Sequence, residues 1–159
     1  MLRMTGIAGL IAVSHGTGSK KGFVEHVVLS ADGQDVQGLI LRKRGLLRRR
    51  RFVPFEHIAL WGEKTVMVTA EERMPKEVRK SPDIEGLRVL DTSGERLGWV
   101  TDALVEETTG RVLSLEVSRG FVDDFTGGRI RVRDFTMRLG GVVAVTEEAG
   151  GERILPADS

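Results

Sequence analysis

The chain has 159 residues, with 24 Lys and Arg against 23 Asp and Glu, three His, and neither Cys nor Tyr. A content of 40% hydrophobic and 30% charged residues is typical of a globular protein and excludes a chain that is disordered throughout. The lack of Cys excludes disulfides, thiolate zinc sites and cysteine nucleophiles, and so few His leave little room for an imidazole metal site, so we expect no cofactor.

The first apolar stretch, Gly6–Val13, follows Arg3 and is interrupted by two glycines. A bilayer-spanning helix needs about 20 apolar residues, so this stretch predicts no transmembrane segment. Its glycines and the sequence after Val13 also fit a secretory signal poorly. We therefore expect a cytoplasmic location.

The apolar start is repeated within the chain. Ile7–Ser14 aligns with Ile84–Asp91 at an offset of 77 residues, and the same offset later aligns Val66–Val68 with Val143–Val145. Two copies are too few for a solenoid, so we interpret the pattern as a duplicated small domain. The predicted boundaries are a first domain at 1–71, a polar linker at 72–83, a second domain at 84–148 and a C-terminal tail at 149–159.

Both copies have the pattern of β-strands. In Val112–Arg119, Leu113, Leu115 and Val117 alternate with Ser114, Glu116 and Ser118, which predicts one face in the core and one in water. Only Pro54–Leu60 and its counterpart Arg133–Leu139 lack alternation, and each could hold one helical turn.

The predicted fold is therefore all-β, with two tandem small β-barrels and short helical turns. A lone domain of this size buries only about 60% of its unfolded surface, so the copies should pack on one another or dimerise.

Four segments resemble the PRC-barrel domain family: Gly86–Val89, Gly94–Asp102 and Thr109–Val112 in the second copy, and Phe52–Ile58 in the first. The family includes the cytoplasmic domain of the H subunit of photosynthetic reaction centres and the C-terminal domain of the ribosome maturation factor RimM. The resemblance implies two PRC-like barrels and a non-enzymatic adaptor that docks onto a larger assembly, while fold alone does not fix function.

The strongest local feature is a run of seven basic residues in ten at a predicted hairpin. Its members are Arg42, Lys43, Arg44, Arg48, Arg49, Arg50 and Arg51. They could bind the phosphates of a nucleic acid or an anionic lipid surface, bind an acidic protein, or be a solvated hairpin that protects a sheet edge. With only Phe52 and Phe55 nearby, no sequence-specific recognition of nucleic acid is expected.

Three other candidate sites are weaker. Gly16–Gly22 superficially resembles a phosphate-binding loop but lacks the glycine spacing of such loops and a following helix, so we interpret it as an ordinary hairpin turn. Asp123 and Asp124 with Asp134 could hold a hard cation, although solvated loop acids explain them as well. A Ser14, His26 and Glu56 relay lacks any nucleophile motif, so no catalytic residue is predicted.

We therefore expect an adaptor whose basic hairpin binds a larger protein, a ribonucleoprotein complex or an anionic surface. The alternative is a small-ligand or metal-binding protein, or an enzyme, with its site between the barrels. Homo-oligomerisation is the third possibility, since residues 1–80 carry a formal charge of +7 and residues 81–159 carry −6.

Overall fold

A computed structural model describes residues 1–45, 49–80, 83–120, 128–138, 141–144 and 152–154. Nearly all of its regular structure is β-strand, which confirms the all-β prediction. The strands are β1 (Leu2–Arg3), β2 (Ile11–Ser14), β3 (Lys20–Leu29), β4 (Val36–Arg42), β5 (Arg50–Pro54), β6 (Ile58–Trp61), β7 (Thr65–Val68), β8 (Arg88–Leu90), β9 (Arg96–Val105), β10 (Val112–Ser118), β11 (Arg129–Val132), β12 (Phe135–Arg138), β13 (Gly141–Ala144) and β14 (Glu152–Ile154). One short helix, α1 (Met4–Ile7), and 3₁₀ turns at Phe55–His57 and Val78–Lys80 complete the elements.

The strands form two sheets with the same internal order. The first runs β5-β4-β3-β2-β7-β6, and the second runs β12-β13-β8-β9-β10-β11-β14, with β1 added beside β9. In the first sheet the two ends of this path, β5 and β6, follow one another in the chain, and in the second sheet the equivalent strands β11 and β12 do so, with β14 added beyond β11. Each sheet is therefore curled, although the hydrogen-bonded ladder of the described residues does not close into a complete ring.

The two curled sheets share one hydrophobic core. Residues of both, including Leu39 and Val53 in the first and Leu115 and Val117 in the second, are fully buried in a single cluster. A smaller cluster joins Val28, Ile40 and Phe52 to Val78, which comes from the predicted linker. Burying apolar surface against the other copy compensates for the small size of each sheet.

A pseudo-twofold relationship connects the copies. Asp35 and Arg111, 76 residues apart, form an isolated antiparallel bridge. Around this bridge Val36 N donates to Gly110 O, and Val112 N donates to Gln34 O, both at 2.8 Å. The same offset of 76 relates each donor and acceptor to its counterpart, as in a symmetric dimer interface.

The segments that lead into each copy cross to the opposite sheet. β1 was assigned by sequence to the first domain, but Leu2 and Arg3 pair with Val105 and Leu104 of β9. In the predicted linker Glu72 bridges to Phe52, while Asp83 lies 2.9 Å from His26 of β3. The predicted C-terminal tail contains β14, which pairs with β11.

The crossing of β1 overturns one prediction from alternation. Ser114, Glu116 and Ser118 were expected to face water, yet all are buried, and Glu116 is only 2% exposed. Arg3 reaches over this face of β10 and contacts Glu116, so the face is covered by the start of the chain. Alternation identified two faces but could not show that both are covered.

Two further predictions need correction. Pro54–Leu60 contains the expected helical turn, but its counterpart Arg133–Leu139 does not, since the described residues there begin strand β12 at Phe135. The alignment of Val66 with Val143 is also shifted. The structural counterpart of Val66 is Val142, since Val66 pairs with Ala12 and Val142 pairs with Val89. The offset changes by one residue because β6 has a bulge between Ile58 and Leu60.

Among the described residues, no helix is long and apolar enough to cross a membrane.

Candidate anion-binding cleft

The predicted basic run lies at the ends of two paired strands. Arg42 at the end of β4 is directly opposite Arg50 at the start of β5, and Arg51 is opposite Leu41. Arg44 and Arg49 are exposed between these strands. Arg48 lies outside the described residues.

Two arginines of the run converge on one carboxylate. Arg42 donates from Nε to Oε2 of Glu25 at 2.9 Å and from Nη2 to Oε1 at 2.8 Å, and Arg50 makes a second bidentate contact with the same group. The hydrogen bonds from Arg42, with those from Arg50, lower the pKa of Glu25 to about 2. These two guanidinium groups therefore already have an anionic partner within the protein.

A second acid holds two more members of the run. Lys43 Nζ donates to Oε1 of Glu71 at 2.7 Å, and Arg51 Nε lies 3.5 Å from the same oxygen. Four of the seven predicted site residues thus pair with Glu25 or Glu71 and help to hold the hairpin on the sheet. An external ligand would have to displace an internal carboxylate to use their full charge.

The structure adds two lysines of the Gly16–Gly22 segment, which the sequence pattern predicts to be an ordinary turn. Lys20 and Lys21 begin β3 and line, with Lys43 and Arg44, a cleft of about 360 Å³. We call these four side chains, with Ile11, Gly22 and Phe23 beneath them, the basic cleft.

Gly22 brings the lysines into position. Its φ of +126° favours glycine, and a Cβ there would collide with the carbonyl oxygen of Arg42. This close approach of β3 to β4 places the Lys20-Lys21 pair beside Lys43 and Arg44. The signal present in the sequence is two basic dipeptides, Lys20-Lys21 and Lys43-Arg44, and the pairing of β3 with β4 brings them together.

The charge of the cleft is only partly compensated. Within the described part of the chain, Lys20, Lys21, Arg44 and Arg49 have no ion-pair partner. They lie at the surface, where cations attract phosphate or carboxylate groups over about 8–10 Å at physiological salt. Ile11, which is 38% exposed, and Phe23 add an apolar wall to the same cleft.

The alternative site between the barrels is smaller. A cavity of about 140 Å³ lies between the sheets, bordered by Glu25, His26, Asp83, Glu85 and Asp102. Small-molecule pockets usually measure about 300–1,000 Å³. Most of these groups also have internal partners: Glu25 binds arginines, His26 contacts Asp83, and Asp102 accepts bonds from Thr5 and Arg3.

The remaining sequence candidates do not assemble. Ser14 accepts a bond from Thr17 N, and His26 contacts Asp83, so the described contacts do not form the relay with Glu56. The residues described contain no group of three His, Cys, Asp or Glu placed to hold a metal. Asp123 and Asp124 lie outside the described residues, and their proposed neighbour Asp134 is exposed.

Comparison with known proteins gives one match, which falls on the second sheet. Residues 76–144, which include β8 to β13, match the family model of the PRC-barrel domain. A comparison with curated proteins gave no match. The domain match is compatible with a non-enzymatic protein-interaction role and does not identify a partner.

Proposed function

We propose that this protein, whose second sheet is a PRC-barrel domain, is a non-enzymatic adaptor that docks an anionic partner at the basic cleft of its first sheet. One observation carries the proposal: Lys20, Lys21 and Arg44 line a single cleft without an internal counter-ion among the described residues.

Phosphate groups are the anions that this arrangement suits best. Lys20 and Lys21 precede the close contact at Gly22, while Arg44 comes from the neighbouring hairpin, so cations from two elements face one cleft. Lysine binds phosphate as a point charge, and arginine adds directed N–H donors. A phosphate-bearing polymer could run along the cleft and reach Arg49.

The test is binding of a single-stranded oligouridine, measured by fluorescence anisotropy over a range of salt concentrations. For four phosphate contacts on a single strand, the logarithm of affinity should fall with a slope of about −3 against the logarithm of salt concentration. A variant with Lys20, Lys21, Arg44 and Arg49 replaced by Ser should lose most of the affinity and most of the slope.

A charge-matched control replaces four other exposed cations, Lys64, Arg73, Lys76 and Arg79, by Ser. Under the proposal this control keeps the affinity of the wild type apart from a small long-range loss. Equal weakening in both variants would show that only net charge matters and would overturn a site at the cleft. Binding of polyglutamate with higher affinity than oligouridine would replace the phosphate partner with an acidic protein.

A further inference from the structure

The pseudo-twofold relationship is broken on one side of the Asp35–Arg111 bridge. On the first side the 30–35 turn of one copy closes onto β12 of the other. Met137 N donates to Asp32 O at 2.8 Å, and Gln34 Nε2 donates to Phe135 O. Gly33 lies against the Met137 side chain with no room for a Cβ.

The second side is built differently, with Gly110 packed against the Phe55 ring and fewer hydrogen bonds from the turn to the strand among the described residues. Here the 106–111 turn faces β6, and Trp61 is the counterpart of Met137. Trp61 pairs with Val66 in the first sheet, and Met137 pairs with the equivalent residue Val142 in the second. Gly110 is the counterpart of Gln34 at the offset of 76, so this turn has no side-chain amide at that position that could donate a hydrogen bond to the facing strand. The hydrogen bond between turn and strand on this side is Trp61 Nε1 to Glu107 O, at 3.3 Å.

A groove of about 420 Å³ remains between β6 and this turn. Its apolar wall consists of Phe55, Ile58, Leu60 and Trp61. The bulge that precedes Leu60 in β6 leaves its side chain 57% exposed, and no described residue covers it. We call this feature the β6 groove.

The rim of the β6 groove is acidic. Glu56 and Glu107 both line it and are exposed, although Glu107 also lies 3.5 Å from the N-terminal amine. An apolar floor between two carboxylates selects a segment with an apolar side chain and flanking cations. Exposed apolar surface of this kind, rimmed by charge, is typical of protein interaction sites.

The chain itself carries a segment of this chemistry. Lys43, Arg44 and Arg49 flank a stretch whose sequence includes Leu46 and Leu47. The carboxylates at the groove rim, Glu56 and Glu107, are opposite in charge to Arg44 and Arg49, which favours contact between these two surfaces of different molecules. We propose that the β6 groove binds the 43–49 segment of a second copy of this chain.

This contact joins two different surfaces, so it is heterologous. An assembly of any length would have one unbound groove at one end and one unbound basic segment at the other. It would therefore grow as an open chain unless its geometry closed a ring. The proposal goes beyond the docking function. It implies that an anionic partner bound at Arg44 and Arg49 competes with self-association.

Two variants, each lacking one half of the contact, provide the test. The groove variant carries Glu56→Lys and Leu60→Ser, and the segment variant carries Arg44→Glu and Arg49→Glu. Light scattering over a range of protein concentrations should show that the wild type self-associates, more strongly at low than at high salt, and that each variant alone is monomeric. An equimolar mixture should form a heterodimer and nothing larger, since one intact groove and one intact segment remain.

A restored contact in the mixture shows that the segment variant has a folded groove, and a cooperative unfolding transition by circular dichroism checks that the groove variant is folded. A matched control, Glu95→Lys with Leu113→Ser, removes an exposed acid and an exposed leucine elsewhere and should self-associate as the wild type does.

A wild type that is monomeric at every concentration would overturn the proposal. So would a groove variant that associates normally, or a mixture that stays monomeric. Oligouridine binding by the groove variant reports separately on the basic cleft, so the docking function can fail or survive independently.

Discussion

Asp35 and Arg111 occupy equivalent positions in the two copies and pair with each other in an antiparallel bridge. The hydrogen bonds on either side of this bridge, from Val36 N to Gly110 O and from Val112 N to Gln34 O, are both 2.8 Å long. The interface between the copies is therefore built like that of a symmetric dimer within one chain. Because the main core also contains residues of both sheets, neither sheet has a complete core of its own.

A shared core predicts that both sheets unfold together. Trp61 lies in the first sheet and Trp99 in the second, and they are the two tryptophans of the chain. Variants Trp99→Phe and Trp61→Phe leave one fluorescent reporter in each sheet. Within each variant, the urea midpoint from tryptophan fluorescence should equal the midpoint from circular dichroism, which reports the loss of secondary structure. Comparing both signals in the same variant removes the effect of the substitution itself on stability. Two separated transitions within one variant would show that the sheets fold independently.

Removal of Arg3 should destabilise the protein strongly. Its Nη1 donates to Asp102 Oδ2 and to Glu116 Oε2, both at 3.1 Å, and these two carboxylates are 7% and 2% exposed. Arg3→Met leaves two buried acids without this cation, and because the Arg3 side chain is itself 55% exposed, so that solvent screens part of the interaction, the free energy of unfolding should fall by about 2 kcal/mol.

Neutralising an acid in the Arg3→Met background provides the control. Adding Glu116→Gln should restore part of the lost stability, because one uncompensated buried charge is removed. Chemical denaturation of the single and double variants measures both effects. A double variant less stable than Arg3→Met would contradict the electrostatic explanation.

Stability should also depend on Glu25 in acid. The pKa of this group falls from 4.5 to about 2 in the folded protein, chiefly through the hydrogen bonds from Arg42. The folded state thus binds the proton less readily than the unfolded state. The contribution is complete above about pH 4.5 and is lost as the pH falls toward 2.

The variant Glu25→Gln isolates this contribution. It should be less stable than the wild type near neutral pH, and the difference should narrow between pH 4.5 and 2, as followed by thermal unfolding. Glu106, whose pKa is also lowered to about 2 by bonds from Thr109 and Thr108, remains in both proteins and cancels in the comparison. A difference that does not change with pH would mean that Glu25 acts through packing rather than charge.

The sequence predicted local structure well where the pattern depends on neighbouring residues. Alternation identified the strand at Val112–Ser118, and Phe55–His57 forms the helical turn expected in the first copy. It failed for Ser114, Glu116 and Ser118 because their burial depends on residues from the other end of the chain. A period of two shows that a strand has two faces, but not what covers each of them.

The candidate site shows the same division. The basic run was visible in the sequence, and Arg44 and Arg49 remain exposed in the structure. The pairing of Arg42 and Arg50 with Glu25, and of Lys43 with Glu71, could not be predicted, since each pair joins separate elements. Lys20 and Lys21 were assigned to an ordinary turn for the same reason.

The sequence alone determined that this is an all-β protein with opposite charges in its two halves and a cationic hairpin, because these properties depend on composition and short-range periodicity. Only the tertiary structure decided which cations of the hairpin form ion pairs within the protein and which do not. It also decided that the segments leading into the two copies cross to opposite sheets, and that the β6 groove is open while Met137 fills the equivalent position in the other copy. Those features arise from contacts between residues far apart in the chain, whose geometry is fixed when the two sheets bury a common core.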